Sequence, residues 1–198
     1  MADAAERLWS PDEYLAWERA QPTKHDYVDG APVAMAGASA RHNLIAANVV
    51  GEVREALRSK SCSPFPSDMR VRIPATGGYR YPDASIACEP IQFEDDAVDT
   101  LKNPSVIIKI LSPTTEAEDR GRKFREYRTL PSLRDYLLVS QDEIWVEHWF
   151  RQDNGVWALR DVRAGERVQL ASCGVELRVD ELYLKVFPPP EGAAEAAS

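Results

Sequence analysis

The sequence predicts an α/β protein: a central mixed β-sheet flanked by helices, with additional β-hairpins toward the C-terminus. Three observations point there. Short apolar runs bounded by Gly, Pro, Asn and Asp recur along the 198 residues. Three segments with helical signals interrupt those runs. After the third, only strand-like stretches remain, so helices break into a sheet without strict βαβ alternation.

The elements follow in order. Ser10 is an N-cap, Pro11 suits the first helical position and Glu13 completes a capping box. Tyr14, Leu15 and Trp17 supply the apolar face of this helix, and Pro22 stops it. Residues 27–35 form a hairpin turning at Asp29-Gly30, a dipeptide that accepts the positive φ a tight turn needs. A second helix spans about His42 to Leu57, with Ala46, Val49, Val50, Val53 and Leu57 on one face.

Strands follow at Met69–Ile73, Ala84–Cys88 and Val106–Leu111, and the acidic loop between the last two, through Glu94-Asp95-Asp96, is expected to be solvated. Thr115 and Glu118 make a second capping box for a helix that carries Lys123, Phe124 and Tyr127 and ends before Pro131. Tyr136–Val139, Ile144–Phe150 and Val156–Val162 read as strands, the last two joined at Asn154-Gly155. A final pair lies near Val168–Leu170 and Val175–Leu177. One domain is expected over residues 8–187, with flexible termini at 1–7 and 188–198.

Composition narrows the function classes. A formal net charge of −8 argues against a passive nucleic-acid coat, which needs Lys and Arg to neutralise phosphates. It leaves room for an enzyme whose bound cations offset the deficit locally. Cys62, Cys88 and Cys173 are odd in number and far apart, so neither a disulfide framework nor a zinc site is expected. No apolar run approaches the ~20 residues of a membrane helix. The start of the chain lacks a secretion pattern. A cytoplasmic, reducing location with no membrane contact is the expectation.

The chemistry centres on three positions. Asp83 follows Pro82 at a strand opening, a rim position where a hard oxygen ligand can hold Mg²⁺. Lys123, about two turns into the following helix, can swing back over that rim to stabilise charge on a phosphoryl group. The plain alternatives are a turn aspartate and a solvated lysine. Lys109 sits inside the apolar strand Val106–Leu111. An ammonium is almost never buried without a partner, so it predicts a carboxylate or open water beside it.

Several runs carry a resemblance: His25-Asp26-Tyr27-Val28-Asp29-Gly30, Arg41-His42-Asn43-Leu44-Ile45, Ser67-Asp68-Met69-Arg70-Val71 and Tyr81-Pro82-Asp83. Leu111-Ser112-Pro113-Thr114-Thr115-Glu116-Ala117, Asp119-Arg120-Gly121-Arg122-Lys123-Phe124, Tyr127 and Pro131-Ser132-Leu133-Arg134-Asp135-Tyr136 continue it. Together they resemble the bacterial putative restriction endonuclease family over roughly residues 8 to 187. The resemblance implies a restriction-endonuclease-like core of the PD-(D/E)xK type, cutting DNA with Mg²⁺ or Mn²⁺. It implies Asp83 as metal-binding aspartate, Lys123 as the motif lysine moved onto the helix, and the Ile110 carbonyl as a third ligand. Asp26 stands where the family has glutamate, and His42 matches a histidine at the mouth of the second helix.

One departure dominates. Lys109 falls where the family has its second metal-binding carboxylate, a change of about two charge units and the loss of a ligand. Three functional readings result. The first is a Mg²⁺-dependent endonuclease, with Asp26 or Asp68 standing in for the lost acid. The second is an inactive nuclease fold that binds DNA or a protein. The third is a structural dimer whose cleft is filled by a Lys109–Asp83 pair. A two-fold homodimer is the expected assembly, with Trp145, Trp149 and Trp157 as either interface or core.

Overall fold

The computed structural model describes residues 8–188. The expected flexible termini therefore lie outside the described residues, apart from Pro188.

Helix α1 (Pro11–Glu18) starts as its sequence dictates: the Ser10 side chain accepts from the Glu13 N–H, and Glu13 reaches back to the Ser10 N–H. Strands β1 (His25–Val28) and β2 (Ala31–Ala34) pair through Asp29 and Gly30, at φ 51° and 82°, the left-handed pair of a tight hairpin. They join β5 (Gly78–Arg80), β4 (Arg70–Ile73) and β7 (Thr100–Leu101) in a five-stranded sheet of order β2-β1-β5-β4-β7. Tyr14 of α1 stacks on Tyr27 and Tyr79 with ring centroids 4.8 and 5.4 Å apart, sealing this small sheet.

The larger sheet has six strands in the order β11-β10-β9-β8-β6-β3. These are β3 (Cys62–Pro66), β6 (Ala84–Cys88), β8 (Val106–Ile110), β9 (Asp135–Val139), β10 (Trp145–Arg151) and β11 (Trp157–Arg163). Only β8 and β9 run parallel, and the crossover between them carries the helical segment. One face packs on α2 (Ala40–Ala56), where Ile45, Val49 and Val53 meet Ile108, Ile110 and Leu137. The hairpin β12 (Arg167–Leu170)–β13 (Val175–Arg178) and the short α5 (Val179–Leu182) close the same face. The other face packs Ile107, Tyr136 and Leu138 against Phe124, Tyr127 and Leu130. Alternation along β8 puts Lys109 on this second face with Ile107.

Several local expectations need correction. Thr115 makes no side-chain cap; its hydroxyl pairs instead with Ser112 Oγ at 2.8 Å. The helix it opens is interrupted: α3 (Glu116–Glu118) runs into a π-helical segment, Asp119–Lys123, before α4 (Phe124–Tyr127). The acidic loop is exposed at Asp95 and Asp96 as expected, but it is also anchored: Arg19 bridges Asp95 and Asp99, and Asp99 pairs with buried Arg70. Trp149 and Trp157 pack on Phe124, which accounts for them as core-edge residues.

The cysteines are the largest correction. Cys62 and Cys88 face each other across β3 and β6 and form a disulfide. The Cys173 thiol lies 4.0 Å from Cys88 Sγ. A separation of 26 residues says little about distance when an antiparallel register sets the pair opposite each other.

Candidate active site

The chain leaves β5 in the small sheet and enters β6 in the large one through Tyr81-Pro82-Asp83, so the site is built where the two sheets meet. The Asp83 N–H donates to the Ile108 carbonyl at 3.1 Å, which fixes its backbone to β8. Its carboxylate then meets the face that carries Lys109. Lys109 Nζ is 2.8 Å from Asp83 Oδ2, and the Ile110 N–H donates to the same oxygen at 2.7 Å. His42 Nε2, from the first turn of α2, stands 3.4 Å from Oδ1.

Both ionised groups are buried, Asp83 at 8% exposure and Lys109 at 5%. Burial alone would raise the Asp83 pKa. The Lys109 ammonium, His42 and the Ile110 N–H outweigh it and hold the carboxyl well below the usual range. Burial likewise works to neutralise Lys109, but Asp83 and Asp119 overcome it and keep the ammonium charged. The partner that the buried lysine required is therefore Asp83.

Lys123 is also buried at this face. Its Nζ lies 3.1 Å from Asp119 Oδ1 and 3.9 Å from Glu118 Oε2. Asp119 is fully buried, and neither of its carboxylate oxygens accepts a well-aligned hydrogen bond. The π-helical turn gives it this placement: the extra residue per turn disturbs the regular ladder, and the Tyr136 hydroxyl donates to the Asp119 carbonyl at 2.9 Å.

Asp26 is near but engaged. Its Oδ1 accepts from the Tyr81 N–H at 2.9 Å and its Oδ2 from Arg80 at 3.0 Å. Arg80, 2% exposed, also grips Glu126 through two parallel bonds of 2.8 and 3.1 Å and touches Glu118 at 3.3 Å. Asp68 is elsewhere, on the surface and paired with Lys24, so it has no place in the cleft.

Asp83 thus brings together Lys109, the Ile110 N–H and His42, which arrives from the α2 side of the sheet, while Lys123 stands beside Asp119 on the Lys109 side and Asp26 is held by Arg80. Ile110 reaches Asp83 through its N–H rather than presenting a carbonyl to it. Sequence reasoning left Asp119, Arg80 and Glu126 without roles. The Asp119–Lys123 spacing of four residues on a helix was a signal for the first, since such pairs share a face.

A divalent cation needs several convergent oxygens. Here Asp83 Oδ2 already accepts two hydrogen bonds and the Lys109 ammonium stands beside it, while Asp26 is held by Arg80. The donor set as folded does not fit Mg²⁺. What it does chemically is neutralise a buried carboxylate with a permanent internal cation.

A model of the family described as putative restriction endonuclease matches residues 11–180. An uncharacterized protein of Synechocystis sp. is 37% identical over 174 residues, covering 88% of this chain and 90% of the relative. A second from the same organism is 32% identical over 170 residues, covering 86% and 96%. The crystal structure of a putative nuclease from Anabaena variabilis superposes with a TM-score of 0.68 at 17% identity, over 90% of this chain and 99% of that one. At that identity, the likeness speaks to the fold.

Proposed function

The chain belongs to the putative restriction endonuclease family, and from that membership we propose that it is a DNA endonuclease of the PD-(D/E)xK type whose Mg²⁺-dependent cleavage is impaired by Lys109. Asp83 is the ligand aspartate of the site, Lys123 the cationic residue that would face a phosphoryl oxygen, and Lys109 the residue occupying the cation's place. The observation that carries the proposal is the 2.8 Å contact of Lys109 Nζ with Asp83 Oδ2 at a buried position.

The same contact favours a second reading, an inactive nuclease fold that acts by binding DNA. The cations of the segment that carries Lys123 bear on its strength: Arg120 is shared with Glu116 and Glu147, and Arg122 with Asp29 and Glu126. A groove whose arginines are already paired has little left for phosphates, so binding would be weak and would fall as salt rises.

The deciding experiment is nicking of supercoiled plasmid with Mg²⁺ or Mn²⁺. It compares the native chain, Lys109→Glu, and Lys109→Glu combined with Asp83→Ala. Cleavage absent in the first, gained in the second and lost in the third supports an impaired metal site at these positions. Cleavage by the native chain overturns the role given to Lys109. No cleavage by any of the three, with salt-sensitive DNA binding retained, moves the chain to the second reading.

A further inference from the structure

The cysteine cluster lies on the α2 side of the large sheet, outside the site described above. Cys62 and Cys88 come from opposed positions on β3 and β6, and Cys173 from the turn between β12 and β13. The three sulfurs all lie within 4.8 Å of one another. Cys173 is buried, and the two others are partly buried and pack against the same core cluster.

We propose that, once the Cys62–Cys88 disulfide is reduced, Cys62, Cys88 and Cys173 form a three-thiolate site for a thiophilic d¹⁰ cation such as Zn²⁺. Reduction by a dithiol balances simply: the reductant gives two electrons and two protons, the sulfur–sulfur bond breaks, two thiols form and the dithiol becomes a disulfide. Binding then exchanges three thiol protons for one cation.

Geometry supports a tetrahedral centre. With zinc–sulfur bonds of about 2.3 Å, sulfurs on one face of a tetrahedron stand roughly 3.8 Å apart. The Cys88–Cys173 separation, 4.0 Å, is already near that spacing. Reduction has only to let Cys62 and Cys88 part to the same distance. Thiolates select zinc, cadmium or cuprous copper over Mg²⁺ and Mn²⁺, so this site would not compete for a nuclease metal.

Two neighbours fit the assignment. Cys88 lines a cavity of about 880 Å³ that also reaches Ser172, Asp135 and His148, which gives the fourth coordination position access to water. Lys60 Nζ lies 3.6 Å from where a Cβ on Gly174 would sit, beside the turn that carries Cys173. Asp135 and His148 are not free to serve, since they bond each other at 2.8 Å and Asp135 also accepts from Ser172 at 2.7 Å. A bound ion would staple the β12–β13 turn to the edge of the large sheet.

The test is titration of the full chain with Cd²⁺, before and after reduction by a phosphine, following thiolate-to-metal charge-transfer absorption. The expected result is one Cd²⁺ per reduced chain, none in the oxidised chain, and binding at least tenfold weaker in Cys173→Ser. Thermal denaturation of the reduced chain with and without Zn²⁺ guards against loss of fold; Zn²⁺ should raise its Tm, and should not raise that of Cys173→Ser. A reduced chain without the charge-transfer band, a band unchanged by Cys173→Ser, or a reduced chain that unfolds and is not restored by Zn²⁺ overturns the proposal.

Discussion

Lys109 and Asp83 meet at 2.8 Å on adjoining strands, and the residue after Lys109 donates its N–H to the same carboxylate oxygen at 2.7 Å. Removing two charges from water costs several kcal/mol per ion, which close contact and added hydrogen bonds must offset. Lys109→Ala leaves Asp83 buried with only His42 and one N–H, and should lower stability by about 3–5 kcal/mol. Added Mg²⁺ should recover part of the loss in this variant and leave the Tm of the native chain unchanged. Chemical and thermal denaturation with and without Mg²⁺ measure both effects. A native Tm that rises with Mg²⁺ would show that the cation's place is open.

The pH dependence of that pair has a definite sign. Asp83 is depressed in the fold, so its contribution is complete above the unfolded value of about 4 and is lost as pH falls through its lower folded value. Lys109 is raised, so its contribution is complete below about 10.4 and is lost as pH rises through its higher folded value. The stability difference between the native chain and Lys109→Ala should therefore be flat from about pH 7 to pH 9 and narrow at lower pH, where the buried Asp83 carboxyl left without its ammonium takes up a proton. Urea titrations at several pH values test this, and a slope within that window would refute it.

Arg80 holds Asp26, Glu118 and Glu126 together from a position with 2% exposure. Burial opposes the charge on Glu126, and Arg80 and Arg122 prevail, lowering its pKa. Arg80→Ala strands Asp26 and Glu126, at a cost of about 3–5 kcal/mol. Arg80→Lys keeps the charge but loses the two-pronged bond, and should fall between the two. Denaturant midpoints give the ranking; equal stability for alanine and lysine would mean that the fork geometry is irrelevant.

Alkali should unfold the protein abruptly. Burial is the main cause raising the pKa of each of the seven tyrosines, with Tyr79 pushed up to about 12 and Tyr127 and Tyr136 well above the ordinary value. A raised pKa means stability complete below about 10 and lost as pH climbs through the folded value, about 1.4 kcal/mol per buried tyrosine per pH unit. For Tyr79 the window is pH 10 to 12. Tyrosinate absorbance should be nearly absent at pH 10.5 and appear together with loss of near-ultraviolet dichroism. Gradual ionisation of several tyrosines in a folded chain at pH 10 would contradict it.

Much of the fold was legible because local chemistry agreed with it. The Ser10 capping box, the Asp29-Gly30 hairpin and the apolar face of α2 form as the sequence implies. Strand β3 was not legible, since Pro64 and Pro66 mask it; it survives as an edge strand, where a missing N–H does no harm. Strands β5 and β7 span three and two residues, too short for any period to show. In the site, Asp83, Lys109 and Lys123 could be picked out by residue type and position. Asp119 could not be weighed as readily, because its burial depends on a π-helical turn that residue spacing does not announce. Arg80 was hidden for a similar reason: its three carboxylate partners come from β1 and from both ends of the interrupted helix.

The interrupted helix can also be viewed as a joint between two anchors. A π-helical turn closes its hydrogen bonds over five residues instead of the four of an α-helix. Here Phe124 and Tyr127 are anchored in the core downstream, and Tyr136 fastens the Asp119 carbonyl upstream. The wider turn lies between these two anchors, so Asp119 and Lys123 take an aim of their own while the core contacts on either side are held. A change of polar residue on this turn can therefore redirect the charged face while the core contacts downstream stay as they are.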